Sequence, residues 1–254
     1  MHSDIFIAAT GLMAQEKRLE VIANNLANAN TTGFKRDVAS FGTWLDIQLR
    51  GGLDGRAEAV GGVSADTSDL HGTFMYRTVT DFSQGALRYT GNPLDFALQG
   101  EGFFVLQTPE GIRYTRNGSF QIGADNYLIT RQGYRVMGEA GAIQIIGEEL
   151  QCDTKGRLRS AGRDIDRLKI VKSPDPSLLK KAGESLFVEG DESILLVPAS
   201  NTAVQQGSLE LSNVNVVRAM MGMIDALRAF ESYQKAVRSL DEASQKAVNE
   251  VGRL

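Results

Sequence analysis

The side chains that most often carry out catalysis or bind metals are few in this sequence and lie far apart. Two histidines occur, His2 and His71, and the single cysteine is Cys152. Transition metals need several such ligands at short, defined spacings, which these three residues do not have. A reactive thiol also needs a cationic neighbour, whereas Asp153 follows Cys152. We therefore expect His71 to be a solvated turn residue and Cys152 to be an ordinary strand residue.

Carboxylates are more numerous, but most of them fall at expected turns and strand ends. Glycoside hydrolysis needs two carboxylates that face each other across a cleft, and sequence spacing alone does not exclude such a pair. The glycines in 100–102 and 133–141 punctuate short strands and do not open helices, unlike those of phosphate-binding loops. The sequence also lacks a nucleophile elbow, a P-loop and a dinucleotide fingerprint. We expect a protein that is not an enzyme, with no catalytic residues, cofactor, metal or small-molecule substrate.

The composition argues against two further classes of protein. The 254 residues include 27 basic and 31 acidic side chains, without the basic stripe that nucleic-acid binding requires. No apolar run approaches the roughly 18 residues of a membrane-spanning helix, so no membrane insertion is expected. The N-terminal stretch MHSDIFIAATGL lacks the positively charged start of a cleaved secretory signal peptide. If the protein is exported, we expect it to keep its N-terminus.

Heptad spacing characterises the first 26 residues. Apolar residues recur every seven positions, at Ile5, Leu12, Leu19 and Leu26. This spacing predicts an amphipathic helix with a narrow apolar seam. Gly33 is expected to be the left-handed residue that ends the helix, with Phe34 packing back onto it.

Asparagines cluster near the end of this predicted helix, where a solvated surface would normally carry Glu and Lys. Asn24 and Asn28 are four residues apart and therefore lie on one helical face, opposite Leu26. Asn25 flanks the apolar seam. Because amides donate and accept hydrogen bonds without burying a charge, we predict that this face contacts neighbouring subunits.

A longer seam runs to the end of the chain. One set of seven-spaced positions begins at Val216 and a second set begins at Ala219. Such a seam requires a partner helix, but its period does not say whether that helix belongs to the same chain. Ser212 or Asn213 is expected to cap the helix in preference to Asn215. The predicted contact residues of this segment are Met223, Leu227, Phe230, Tyr233, Val237 and Leu240.

The middle of the chain has a different character. Residues 51–69 are rich in Gly, Ala and Asp, which is typical of a loop or linker. From about residue 75 to 204, short apolar runs such as FFVLQT alternate with turn residues, which predicts an antiparallel β domain. The predicted fold class is α+β, with coiled-coil-like paired terminal helices and a mainly β domain inserted between them. The predicted domains are 1–36 with 208–254 (helical), 37–74 (linker) and 75–207 (β).

Three segments resemble the bacterial flagellar rod and hook proteins. They are ANNLANANTTGFKR (23–36), the stretch from NPLDFALQGEGFFVL to GYRVMG (92–138), and LSNVNVV (211–217) leading into MIDALRAFESYQKAV (223–237). The resemblance implies a structural subunit of the flagellar basal-body rod, part of its axial drive shaft. It further implies helical polymerisation through the terminal helices and export by the flagellar type III apparatus without a cleaved signal peptide. The implied partners are copies of this chain and other axial proteins.

Within that family, the chain resembles the proximal rod proteins that carry one β domain. The compact β region and the stretch VVRAMMGMIDALRAFESYQ favour this position. A distal rod or hook-type axial protein is the alternative. A second alternative, from another class, is a β-rich adhesin with a helical oligomerisation stalk. An adhesin should form a defined small oligomer and bind a ligand through its β-domain loops.

Overall fold

A computed structural model describes residues 2–43, 73–147, 150–160, 162–190, 196–199 and 201–251. The predicted loop at 51–69 and the prediction for His71 lie outside these residues, as do the side chains of His2 and Ile5.

Two helices flank a series of short strands in the described part of the chain. The helices are α1 (His2–Ala27) and α2 (Val216–Val251). The strands are β1 (Asp37–Thr43), β2 (Thr73–Thr80), β3 (Leu87–Tyr89), β4 (Phe96–Gln99), β5 (Phe103–Thr108), β6 (Gly111–Thr115), β7 (Phe120–Ile122), β8 (Leu128–Thr130), β9 (Arg135–Val136), β10 (Leu150–Cys152), β11 (Arg157–Ser160), β12 (Arg163–Arg167), β13 (Ile170–Lys172), β14 (Leu179–Lys181), β15 (Leu186–Glu189), β16 (Val197–Pro198), β17 (Ala203–Gln206) and β18 (Ser208–Glu210). The predicted α+β class, with a mainly antiparallel β domain between two helices, is confirmed.

The chain divides into two compact units. The helical unit contains the described residues of Met1–Ala27, Asp37–Val79 and Asn215–Leu254. The β unit contains the described residues of Asn28–Arg36 and Thr80–Val214.

The largest sheet among the described strands has nine members and lies in the β unit. Seven follow the order β14, β15, β6, β5, β9, β8 and β7, while β13 pairs with both β5 and β16. The registers that the structure gives are antiparallel throughout. A tight turn joins β5 to β6, with Thr108 opposite Gly111, as the sequence Pro109-Glu110-Gly111 predicts.

Strand β5 is buried on both faces and divides the core of the β unit. Phe104 and Leu106 point into the larger apolar cluster, whereas Phe103 and Val105 point into the smaller one. Because successive side chains of a strand point in opposite directions, a strand covered on both faces is apolar throughout. The predicted buried run FFVLQT is therefore confirmed for Phe103–Leu106, whereas Gln107 is exposed and Thr108 is half-buried. Phe82 packs against the smaller cluster, 5.7 Å from Phe103 and 5.2 Å from Phe187 between ring centroids.

The two helices of the helical unit contact each other and run antiparallel. A Cβ atom on Gly11 would lie 2.5 Å from Cε1 of Tyr233, and one on Gly222 would lie 3.6 Å from Cδ1 of Ile22. Residue numbers therefore rise along one helix as they fall along the other. Gly11 has no side chain, which allows the tyrosine ring to lie against the backbone of α1. A coiled coil along the full length of both seams stays a prediction.

Cys152 is the last residue of β10, where it is half-buried and packs against the larger apolar cluster. Burial raises the pKa of its thiol to about 12, and the neighbouring Asp153 carboxylate contributes to the increase. The expectation of an ordinary strand residue is confirmed.

The raised pKa of Cys152 predicts slow alkylation. At pH 8 the folded protein should react with iodoacetamide about 1,000-fold more slowly than the chain in urea, because only the thiolate attacks. The rate for the folded protein should then rise with pH towards 12. Thiol labelling followed by mass spectrometry measures both rates, and equal rates for folded and unfolded protein would contradict the burial of this side chain.

Candidate functional site

The predicted contact residues of the two helices fall into two sets. The half-buried set consists of Leu12, Leu19, Leu26, Met223, Phe230, Val237 and Leu240, whereas Leu227 and Tyr233 are exposed. The most buried described positions in the helices are small or polar, namely Ala8, Thr10, Gly11, Ala14, Asn25 and Ala226. Small side chains allow two helix backbones to approach closely, and Gly11, against which Tyr233 of α2 packs, is one of these positions.

Asn215 caps α2. Its Oδ1 accepts a hydrogen bond from the N–H of Arg218 at 2.9 Å, and its carbonyl oxygen accepts one from the N–H of Ala219 at 2.9 Å. This is the geometry of an N-cap residue, whose side chain satisfies a helix N–H that has no carbonyl partner within the helix. The expectation that Ser212 or Asn213 fills this role is wrong.

Asn25 joins the end of α1 to the start of β1 within the helical unit. Its Nδ2 donates to the carbonyl oxygen of Asp37 at 2.7 Å, and its Oδ1 accepts from the N–H of Asp37 at 2.8 Å. The amide thus pairs with Asp37 as a neighbouring strand would. Only Asn and Gln side chains carry a donor and an acceptor arranged like those of the backbone, which accounts for the amide at this buried position.

The other asparagines of this segment do not share one helical face. Asn24 is exposed on α1, but the helix ends at Ala27 and Asn28 belongs to the following turn. Asn28 Oδ1 accepts a hydrogen bond from Thr31 Oγ1 at 3.2 Å, and its carbonyl oxygen accepts one from the N–H of Thr31 at 3.1 Å. The prediction that Asn24 and Asn28 share one helical face is therefore wrong, because the helix ends before Asn28. Their contact with neighbouring subunits stays a prediction.

Gly33 has the left-handed conformation that was predicted, with φ of 69°, but it does not end α1. Its N–H donates to the carbonyl oxygen of Glu210 at 2.8 Å instead of a helix carbonyl. A Cβ at this position would also clash with the backbone of Arg116 and Asn117. Phe34 is buried, and Lys181 Nζ lies 4.2 Å from the centre of its ring. Both residues thus fix segment 28–36 within the β unit.

A single buried carboxylate collects hydrogen bonds from three other parts of the β unit. Glu210 is 1% exposed. Its Oε1 accepts from Lys35 Nζ at 2.6 Å and from the N–H of Gly85 at 2.9 Å, and its Oε2 accepts from Arg116 Nη1 at 3.2 Å. Lys35 Nζ also donates to the carbonyl oxygen of Ser83 at 2.7 Å. We call Lys35, Arg116 and Glu210 the buried ion cluster.

Burial makes this cluster sensitive to the loss of any member. Lys35 and Arg116 are 1% and 4% exposed, and burial lowers the pKa of each although Glu210 opposes that change. Two cations thus depend mainly on one carboxylate for compensation. Arg116 gains further partners, since its Nη2 donates to the carbonyl oxygen of Gly100 at 2.7 Å and its guanidinium lies 5.4 Å from the Phe103 ring centre. Removing one partner from such a group leaves an uncompensated buried charge.

Asn213 makes a second set of links beside the buried ion cluster. Its Oδ1 accepts from the N–H of Arg36 at 2.8 Å, while its Nδ2 donates to the carbonyl oxygens of Asp81 at 2.8 Å and Ser83 at 3.1 Å. The Arg36 guanidinium also pairs with the Asp81 carboxylate at 2.8 Å. Asn213 is therefore an internal bridge of the β unit.

These contacts define what we call the junction, formed by segments 28–36, 80–86 and 207–214. Segments 28–36 and 207–214 run parallel, since Gly33 N–H donates to Glu210 O and Asn213 N–H donates to Phe34 O. Strands β3 and β18 pair antiparallel, so the chain from 80 to 86 runs the opposite way. Consequently Arg36, Thr80 and Val214, which all adjoin the helical unit in sequence, lie at the same end of the junction.

Sequence reasoning missed most of the junction. Every residue of the stretch DFSQG (81–85) makes a contact in the junction or in the adjacent core. For example, Gln84 Nε2 donates to the carbonyl oxygen of Leu98 at 3.0 Å and its Oε1 accepts from the N–H of Gly100 at 3.1 Å. The available signal was weak: an acidic residue, Glu210, at an inward position of a short strand. Nothing in one sequence pairs it with a lysine 175 positions earlier.

Three family models match segments of the chain, and each matched segment contains one residue of the buried ion cluster. The profile "Flagella basal body rod protein" matches residues 5–35, which include Lys35. "Flagellar hook protein FlgE/F/G D1 domain" matches 97–159, which include Arg116. "Flagellar basal body rod FlgEFG protein C-terminal" matches 205–250, which include Glu210. The cluster thus joins all three matched segments.

Relatives of similar length cover nearly the whole chain. The flagellar basal-body rod protein FlgG of Borreliella burgdorferi is 33% identical over an alignment of 251 positions, which covers 93% of this chain and 94% of that protein. The flagellar basal-body rod protein FlgF of Caulobacter vibrioides is 30% identical over 257 residues and covers 100% of both chains. FlgG of Agrobacterium fabrum is 35% identical over 250 residues, with 93% and 94% coverage.

The buried ion cluster predicts a large cost for one isosteric change. Glu210→Gln keeps the shape of the side chain but leaves Lys35 and Arg116 without their carboxylate, so the free energy of unfolding should fall by about 3–5 kcal/mol. Urea denaturation measures this change. Glu110→Gln is the matched control, because its side chain is 82% exposed, and it should change stability by less than about 0.5 kcal/mol. Equal effects of the two variants would contradict the role of Glu210.

Proposed function

Because this chain belongs to the flagellar basal-body rod family, a family of structural proteins and not of enzymes, we propose that it polymerises helically through α1 and α2. The protein is a structural axial subunit of the basal-body rod. Its proposed partners are copies of itself and other rod proteins, with which it forms part of the axial drive shaft. The matched family consists of rod and hook proteins and offers no support for the adhesin alternative.

A second apolar face on α2 is the observation that supports polymerisation. Five apolar side chains near the start of this helix are between 42% and 68% exposed: Val217, Met220, Met221, Ile224 and Leu227. We call them the α2 stripe. At 100° per residue they centre on the side opposite Ala226, which is fully buried. The helical unit therefore leaves an apolar surface of α2 uncovered, and contiguous exposed apolar surfaces are typical of protein interaction sites.

The α2 stripe is confined to the first turns of the helix. Farther along, the same side carries exposed charged residues, including Glu231, Lys235, Arg238 and Glu242. An apolar section followed by a charged one favours a partner that covers only the start of α2. The terminal helix of a neighbouring subunit fits this description, because its own partly buried seam residues still have apolar surface to bury. The half-buried leucines of α1, Leu12, Leu19 and Leu26, are candidates for such contacts.

Export and position along the rod are further parts of the proposal. We propose that the flagellar type III apparatus exports the chain without cleaving a signal peptide, as the resemblance of the N-terminal segment to rod proteins implies. Within the described residues, neither helix combines the length and apolar character needed to cross a bilayer. The relatives include both FlgF and FlgG at comparable identity, so a proximal position in preference to a distal one stays a prediction.

Complementation of a deletion strain tests the proposed function. A flagellated bacterium that lacks its own copy of this gene should regain flagella and motility when it receives the wild-type chain. Immunoblots of isolated basal bodies should find the protein in the rod fraction. Electron cryomicroscopy of those basal bodies would then give its axial position. Motility without the protein in the rod fraction would contradict the proposal.

One substitution in the α2 stripe should separate assembly from folding. Ile224→Glu places a charge at the centre of the stripe, and burying it against a neighbouring helix would carry a desolvation cost. We expect the variant to show wild-type circular dichroism but at least a tenfold lower amount in basal bodies. Gln234→Glu adds the same charge to an exposed position outside the stripe and should assemble normally. Normal assembly of Ile224→Glu would exclude the stripe as a contact surface.

A further inference from the structure

Three of the four connections between the units begin at one end of the junction. The chain passes from the β unit to the helical unit after Arg36 and after Val214, and it enters the β unit at Thr80. Asn213 bonds to the chain at both of the other connections, through Arg36 and through Asp81. In addition, the N–H of Asp81 donates to the carbonyl oxygen of Arg36 at 2.9 Å. Each connection is thus hydrogen-bonded to the other two.

The buried ion cluster ties the same three segments a few residues farther in. Lys35, Gly85 and Glu210 each belong to a different segment of the junction, and all meet at one carboxylate. The same three segments are therefore joined twice: by the Asn213 amide near the helical-unit connections, and by the Glu210 carboxylate a few residues farther along. Pulling one segment away from the others would require the loss of both sets of bonds.

We propose that Asn213 and the buried ion cluster make these three connections one load-sharing joint, so that force on any connection is distributed over all three. The inference rests on the proposed function only for the origin of the force, which is rotation of the rod. The arrangement differs from a flexible linker, in which each connection would carry its load alone.

The chemistry at position 213 fits this role. The side chain must accept from the N–H of Arg36 and donate to two carbonyl oxygens at the same time. An amide does this without charge, whereas an aspartate in the same place would set a second carboxylate oxygen against those carbonyl oxygens. Asn213→Asp therefore removes the donor half of the bridge with little change of shape, and Asn213→Ala removes both halves.

Hydrogen exchange on the purified full chain tests the coupling directly. The Arg36 amide loses its acceptor in Asn213→Ala, so it should exchange faster whether or not the connections are coupled. The Asp81 amide keeps its own acceptor, Arg36 O, in every variant. If the connections form one joint, the Asp81 amide should exchange at least tenfold faster in Asn213→Ala and Asn213→Asp, relative to the amides of β5. An unchanged ratio would overturn the proposal.

Leu158→Ala is the matched control for general destabilisation. Leu158 is fully buried in β11 and contacts the larger apolar cluster, so its loss weakens the β unit without removing a junction contact. In this variant the ratio of Asp81 exchange to β5 exchange should stay at the wild-type value. A tenfold rise in Leu158→Ala as well would show that the junction merely reports overall stability, and would overturn the proposal.

Rotation under load tests the consequence in cells. In the complemented deletion strain, Asn213→Ala should give a wild-type number of flagella but stop rotating at no more than half the viscous load that Leu158→Ala tolerates. Equal tolerance, or absent flagella in Asn213→Ala alone, would overturn the joint while leaving the proposed function intact. If the wild-type chain itself restores no flagella, the proposed function fails, and the exchange experiment still decides whether the three connections are coupled.

Discussion

The β unit depends on one carboxylate that cannot be buried alone. Glu210 needs Lys35 and Arg116 beside it, and neither cation could stay buried without that carboxylate. Because these residues lie near the start, in the middle and near the end of the unit in sequence, the cluster forms only when distant parts of the chain have come together. Segment 28–36 is then held against the carboxylate, Gly33 is fixed against the backbone of Arg116, and the Asp81–Gly85 stretch is ordered between them.

Asparagine side chains extend this arrangement where no strand is available. Asn25 pairs with both polar backbone groups of Asp37, and Asn213 bridges the backbones at Arg36 and Asp81. In both places an amide supplies backbone-like hydrogen bonds at a point where chain segments meet without regular sheet pairing. Within the N-terminal motif, bonds inside the chain account for Asn25 and Asn28. The uncovered apolar surface that a polymer requires lies instead on α2.

Local features were predictable from the sequence, and long-range ones were not. Heptad spacing identified both helices, and the apolar run Phe103–Leu106 identified β5, because these patterns follow from the periods of helix and strand. The predicted end of α1 was too late. Gly33 has the left-handed conformation expected of a residue that ends a helix, but its N–H bonds to the carbonyl oxygen of Glu210 and not to a helix carbonyl. The buried ion cluster was missed because its members are ordinary charged residues in sequence. Their pairing depends on tertiary contacts that have no local pattern.

A double-mutant cycle between Lys35 and Glu210 tests most directly whether the stability of the β unit depends on this charge pair. The free energy of unfolding would be measured by urea denaturation for the wild type, Lys35→Met, Glu210→Gln and the double variant. If each residue is buried only because of the other, the double variant should be much less destabilised than the sum of the single ones, with a coupling energy of at least about 2 kcal/mol. Additive losses, within about 0.5 kcal/mol, would contradict the dependence of the β unit on this pair.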